Sequence, residues 1–144
     1  MTETEQRDLV CREAMTWLGT PYHHQARVRG AGVDCAMFPA AVYEAAGVMP
    51  HVEPKYSREW HLHRGEELYI EWALKYAAEV DEASVGPGDF VVWRWGRTYS
   101  HGAIILDWPQ VIHSYIRIGV TLDDANQHEE LRTRPRRFFS PWRR

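Results

Sequence analysis

With 144 residues, 44% apolar and 26% charged, the chain has the make-up of one soluble globular domain, long enough to close a single core. A net charge of −3 gives the whole molecule no electrostatic claim on nucleic acid, and no apolar run approaches the length of a membrane span. The two cysteines do not form a C-x-x-C pair and are too few for a disulfide framework, and the acidic opening Met1-Thr2-Glu3-Thr4-Glu5 is wrong for a signal peptide. The expectation is therefore a chain made in the cytoplasm with no export address of its own.

Residues 5–18 predict an amphipathic helix. Val10, Ala14, Trp17 and Leu18 recur at helical spacing, Gly19 supplies the stop, and Cys11 beside the stripe reads as core packing. Gly19-Thr20-Pro21-Tyr22 is a turn, and 23–33 is an irregular loop bent by Gly30 and Gly32. That loop runs into Asp34-Cys35 and then into an alanine-rich apolar segment ending at Gly47. This arrangement sets a thiol at a helix N-terminus, with Asp34 as a plausible N-cap and Gly47 as the C′ residue. The unpaired N–H groups and the dipole at that end favour thiolate, so a lowered Cys35 pKa is expected. Pro39 cannot donate and would crowd the carbonyl of Cys35, so the helix should become regular only near Met37.

Residues 48–63 look irregular, with prolines at 50 and 54. A helix is predicted from Glu66 to Val80 on the stripe Leu68, Trp72, Tyr76 and Val80. Gly86-Pro87-Gly88-Asp89 breaks the chain, and Phe90–Trp95, His101–Leu106 and Val111–Ile116 follow as strands. Helices first and a strand meander second imply an α+β fold with a small antiparallel sheet, as one domain over residues 1–144. The arginines from about residue 131 read as a basic C-terminal tail, either a solvated surface or a docking patch for an acidic partner.

A nucleophilic cysteine needs a base, and the base needs an orienting partner. Of eight histidines, His101 and His113 stand out because each lies among apolar neighbours in a predicted strand. Side chains alternate along strands, so both imidazoles share a face only if Ala103 pairs with His113, which needs an odd loop or a bulge. A plain four-residue loop at Asp107–Gln110 would put them on opposite faces. Other clusters are weaker. His61-x-His63 could hold zinc only with partners that the neighbouring sequence does not offer, and His23 and His24 point apart if extended.

Five segments in order carry a resemblance: Trp17-Leu18-Gly19-Thr20-Pro21-Tyr22, Asp34-Cys35, Pro87-Gly88-Asp89-Phe90-Val91, Ser100-His101-Gly102-Ala103-Ile104 and Val111-Ile112-His113. Together they resemble the NlpC-type family of papain-like cysteine peptidases of bacterial cell walls. His23-His24-Gln25-Ala26-Arg27 and residues Tyr56 to Glu67 resemble a branch encoded in phage tail clusters, prophages and gene-transfer agents. The resemblance implies a papain-like core with the nucleophile at a helix N-terminus packed on the sheet. It implies Cys35 as nucleophile, His101 as general base and His113 as the residue orienting His101, with Tyr22 and Asp34 at the substrate and oxyanion side. The implied reaction is hydrolysis of a peptidoglycan stem peptide bond, typically between D-glutamate and the following diamino acid, with no metal or organic cofactor. Implied partners are stem peptides and phage tail-tip proteins, with no nucleic acid and no membrane insertion. Delivery by a virion tail, or release at lysis, would bring the chain to the wall.

Two departures from the family pattern bear on this. Ala36 and Met37 follow the cysteine where the family usually has Ser and Gly, which removes a hydroxyl and adds bulk. The alternatives are a tail-tip assembly module with the fold but little activity, and a thiol amidase acting on another cell-wall amide.

Overall fold

The computed structural model describes residues 1–51 and 67–143. Helix α1 spans Glu3–Met15, opened by a capping box in which Thr2 and Glu5 each accept from the other's backbone N–H. Its apolar stripe buries Val10 and Ala14, and Trp17 beyond its end packs edge-on to Phe38 at 6.0 Å. Leu18, expected on the same stripe, is 42% exposed because the helix has already ended. A short hairpin of β1 (Arg27–Val28) and β2 (Gly32–Val33) leads to α2 (Met37–Ala45), and α3 covers Leu68–Tyr76. The strands β3 (Ala78–Val80), β4 (Phe90–Trp95), β5 (Thr98–Asp107), β6 (Gln110–Tyr115), β7 (Gly119–Asp124) and β8 (Arg136–Ser140) form one antiparallel sheet in the order β3-β8-β4-β5-β6-β7. The fold is α+β.

Two apolar layers sandwich the sheet. On one face the helices bury Val10, Phe38, Tyr43 and Trp72 against Phe90, Ile104, Ile112 and Phe139. Phe90 is the hub, with Phe139, Trp72 and Tyr43 at 5.2, 5.5 and 5.6 Å between ring centroids. Fully burying a side chain of this size stabilises by about 1.5–3 kcal/mol. The other face collects Val91, Trp93, Ala103, Val111, Leu131 and Phe138. A polar clamp fixes α1 to the sheet. Arg7 donates to Asp89 Oδ1 and to the Pro87 carbonyl, both at 2.9 Å, while Asp89 Oδ2 accepts from Gly86 N.

Two expectations are corrected here. The helix predicted to Val80 stops at Tyr76, and residues 78–80 pair with Ser140, Phe139 and Phe138 as β3. The segment read as a basic tail contains β8, inserted between β3 and β4, and four of its arginines are paired internally. Arg137 meets Glu79, Arg136 meets Glu82, Arg134 meets Glu130, and Arg143 meets Glu3.

The register that places the histidines is set at the β5–β6 turn. Asp107 pairs with Gln110, Ile105 with Val111 and Ile104 with Ile112, and the ladder shifts between Ile105 and Asp107. Leu106 is thus a bulge, and the next step of the ladder brings Ala103 opposite His113. His101 and His113 therefore share a face.

Candidate active site

The nucleophile turn is built by the carboxylate of Asp34, which is 1% exposed. Its Oδ1 accepts from Ala36 N at 3.2 Å and Met37 N at 2.8 Å, and its Oδ2 accepts from Gln25 N at 2.6 Å. Regular helix begins at Met37, as Pro39 requires, while Asp34 supplies the cap three residues earlier. Asp34 is thus turned into the backbone of the loop and helix start that carry Cys35. The Gly19–Tyr22 segment is fastened on both sides: Gly19 N donates to Val120 O, Val120 N donates to Thr20 O, and Tyr22 bridges Val33. This brings the Tyr22 hydroxyl to 3.8 Å from Cys35 Sγ.

Cys35 Sγ also lies 3.6 Å from the Ser100 carbonyl, the residue before His101. Among the described residues no hydrogen bond joins Sγ to His101 itself, and such contacts commonly tighten only when substrate binds. Behind His101 the polar chain is continuous. His101 Nε2 and His113 Nδ1 are 2.7 Å apart, and His113 Nε2 and Asp123 Oδ2 are 2.7 Å apart. Both imidazoles are buried, on the sheet face opposite the helices. Trp93, Trp95 and Tyr115 surround His101 with ring centroids 5.3–6.4 Å apart within the group. The Arg134 guanidinium lies 3.7 Å over the Trp95 ring.

These surroundings reverse one expectation. Burial, with the Asp34 carboxylate adding to it, pushes the Cys35 thiol up to about 12, although the Tyr22 hydroxyl and the helix N–H groups pull the other way. His101 is held well below the ordinary imidazole range, first by burial and then by His113, His128 and Arg134. His113 is lowered by burial, against the opposing pull of Asp123. The resting pair is thus neutral thiol and neutral imidazole, since the dipole of a helix start does not outweigh the desolvation of the partly buried thiol.

The departures after Cys35 matter less than their sequence suggests. Ala36 and Met37 are each 4% exposed and belong to the helix-side core, so the bulk of Met37 is absorbed in packing. Cys11 is partly buried, its thiol pushed up to about 11 mainly by burial. Asp123 is the residue that sequence reasoning missed. The only cue was the alternation that puts it and Thr121 on one face of a strand, and the Asp123-Asp124 pair reads more readily as solvated surface. Among the described residues no group of three His, Cys, Asp or Glu side chains is placed to hold a metal. His61 and His63 lie outside the described residues.

Solved structures share this architecture. The NlpC/p60 domain of the peptidoglycan hydrolase SagA matches with a TM-score of 0.64 at 20% identity, over 91% of this chain and 96% of its own. NlpC1 from Trichomonas vaginalis matches all of this chain but 45% of its own, with a TM-score of 0.69 at 15% identity. RipD from Mycobacterium tuberculosis matches with a TM-score of 0.60 at 14% identity, over 94% of this chain and 96% of its own. It is described as a non-catalytic NlpC/p60 domain protein adapted to peptidoglycan binding. At these identities the likeness is one of fold. No curated protein matches the chain by sequence. The pattern of the NlpC/P60 family, however, runs through residues 19–133, and the chain belongs to that family.

Proposed function

We propose that the chain is a cysteine peptidase that hydrolyses a peptide bond in the peptidoglycan stem, typically that between D-glutamate and the following diamino acid. Cys35 is the nucleophile, His101 the general base and acid, and His113 the residue that orients His101. The observation that carries this reading is the 2.7 Å His101–His113 hydrogen bond, together with the 3.6 Å approach of the Cys35 thiol to the carbonyl of Ser100, the residue before His101.

The neutral resting pair sets the order of proton movements. As Sγ attacks the carbonyl carbon, its proton passes to His101 Nδ1, the nitrogen left open by the Nε2 contact to His113. The oxyanion is held by the Cys35 N–H and the Tyr22 hydroxyl; one such donor is worth roughly 3–4 kcal/mol of barrier. His101 then gives the proton to the leaving amine as the C–N bond breaks, leaving a thioester. Water attacks the thioester, losing its proton to His101, and the thiol is restored. Asp34 acts through the backbone, holding the loop and the helix start in register.

The test is incubation of the protein and a Cys35→Ala variant with defined muropeptides, read by mass spectrometry. Cleavage by the parent and none by the variant is expected, and the fragment masses name the bond; a cut at the sugar–peptide link would instead identify a thiol amidase. A second reading is favoured by the raised thiol pKa and by the likeness to RipD: a wall-binding or tail-tip module that keeps the fold without turnover. Muropeptide turnover separates these, and alkylation at varied pH tests the resting state of the thiol. With the thiol pushed up to about 12, the rate with iodoacetamide should climb about tenfold per pH unit between 6 and 9. A plateau reached near neutrality would overturn the neutral resting pair and restore a preformed thiolate. The association with phage tails, and delivery to the wall by a tail particle, are supported by the resemblance of the segments around His23 and Tyr56 to that branch.

A further inference from the structure

Resting on the peptidase reading, we propose that Asp123 is a positioning residue that fixes the tautomer of both histidines, so that the relay behind Cys35 is Asp123–His113–His101. The argument is a count of protons along two short contacts. Asp123 is a carboxylate with a side chain 30% exposed at the outer strand β7, so it is ionised at neutral pH and can only accept. The 2.7 Å contact to its Oδ2 must therefore contain a proton carried by His113 Nε2. A neutral His113 then has a bare lone pair at Nδ1, and the second 2.7 Å contact must contain a proton carried by His101 Nε2. His101 is left with its lone pair at Nδ1, the nitrogen that must receive the thiol proton.

The reverse assignment would set the Nε2 lone pair of His113 against a carboxylate oxygen at the same distance, which is repulsive. His113 alone does not decide the matter, because a neutral imidazole can be protonated at either nitrogen. Asp123 decides it.

The other groups facing the pair do not take over this task. The His128 ring centroid is 6.0 Å from that of His113, but its Nδ1 already accepts from the backbone N–H of Glu130 and Leu131. Tyr115 on β6 meets both imidazoles through its ring. Arg134 lies over Trp95 and disfavours a protonated His101. Asp123 is the one anion hydrogen-bonded to the pair among the described residues. It also offsets the positive charge that the relay carries while His101 holds the thiol proton.

The experiment compares the parent, Asp123→Ala and Asp123→Glu by histidine 15N NMR without substrate and by steady-state kinetics with muropeptides. In the parent both buried rings should report Nε2–H. In Asp123→Ala the His113 ring should become a mixture of tautomers, and kcat should fall about 10–100-fold, by analogy with the loss when the hydrogen-bond partner that orients a metal-ligating imidazole is removed. KM should stay within twofold. Removing the anion disfavours the protonated relay, so the acid limb of the kcat profile should move to lower pH. Asp123→Glu should restore the tautomer and most of kcat. Unchanged ring tautomers in Asp123→Ala, or kcat within twofold of the parent with an unmoved acid limb, would overturn the proposal. If the parent cleaves no muropeptide, the peptidase reading fails, and the NMR comparison still decides the tautomer assignment.

Discussion

Replacing His101 by alanine is expected to lower kcat for stem-peptide cleavage by about 10²–10⁴-fold while leaving KM nearly unchanged, the range ordinarily supplied by one general acid–base group. In the proposed mechanism the imidazole serves three times in one turnover: it takes the thiol proton, delivers it to the leaving amine, and activates water against the thioester. Because the thiol is held as a thiol by burial, attack without a base would require prior ionisation that the site opposes. The loss should therefore be steepest near neutrality and shrink as pH rises, when bulk solvent ionises more of the thiol. His113→Ala should cost less, because it spares Nδ1 and removes only the partner that orients the ring. Steady-state kinetics from pH 6 to 9 for both variants would check the order. Equal losses in the two, or a loss that appears only in KM, would contradict the assigned roles.

The second large effect is on stability. Gly119→Ala is expected to lower stability by roughly 2–5 kcal/mol, from a left-handed penalty of about 1–2 and a steric cost of about 1–3. Gly119 has φ +89°, and an added Cβ would lie against the Thr20 carbonyl oxygen and 3.2 Å from Pro21 Cα. Neither contact is the soft end of a side chain; both are backbone. The position opens β7 where Val120 exchanges hydrogen bonds with Gly19 and Thr20. The clash would push away the segment that carries Tyr22, so residual activity should fall further than the lost folded fraction explains. Thermal melts should show a fall of roughly 6–15 °C, taking about 3 °C per kcal/mol for a domain of this size. A shift under about 2 °C would mean that the turn repacks freely.

What the sequence disclosed, and what it withheld, follows from the range of each interaction. The capped turn at Asp34, the delayed helix start imposed by Pro39, and the Gly47 stop at φ +74° are contacts among near neighbours in the chain. The histidines could be paired on paper because alternation is local, but the choice of register rested on a bulge at Leu106 that no residue type announces. β3 and β8 were unreadable for a different reason. Val80 continues the helical stripe of Leu68, Trp72 and Tyr76, and only its pairing with Phe138 makes it strand. Arg136 and Arg137 look like solvated charge until Glu82 and Glu79 are brought to them. The thiol pKa was misjudged because a helix start is visible in sequence and the desolvation around it is not. Asp123 was missed because its partner lies on the neighbouring strand.

The position of β8 governs how the molecule can be made. This strand comes after every other element in the chain, yet it occupies the second place in the sheet, joining β3 on one side and β4 on the other. Until Arg136–Ser140 arrive, Phe90–Trp95 have one open flank of unpaired backbone, in a segment rich in aromatic and β-branched residues, and Phe90 lacks the ring that stacks on it. Closure waits on pairings between residues more than forty positions apart, the slow class of contacts in folding. During synthesis the strands that carry His101 and His113 are therefore complete before the sheet that supports them, and a nascent or nicked chain lacking β8 would present an open edge to its own kind. Assembly of the candidate site is thus tied to the arrival of β8.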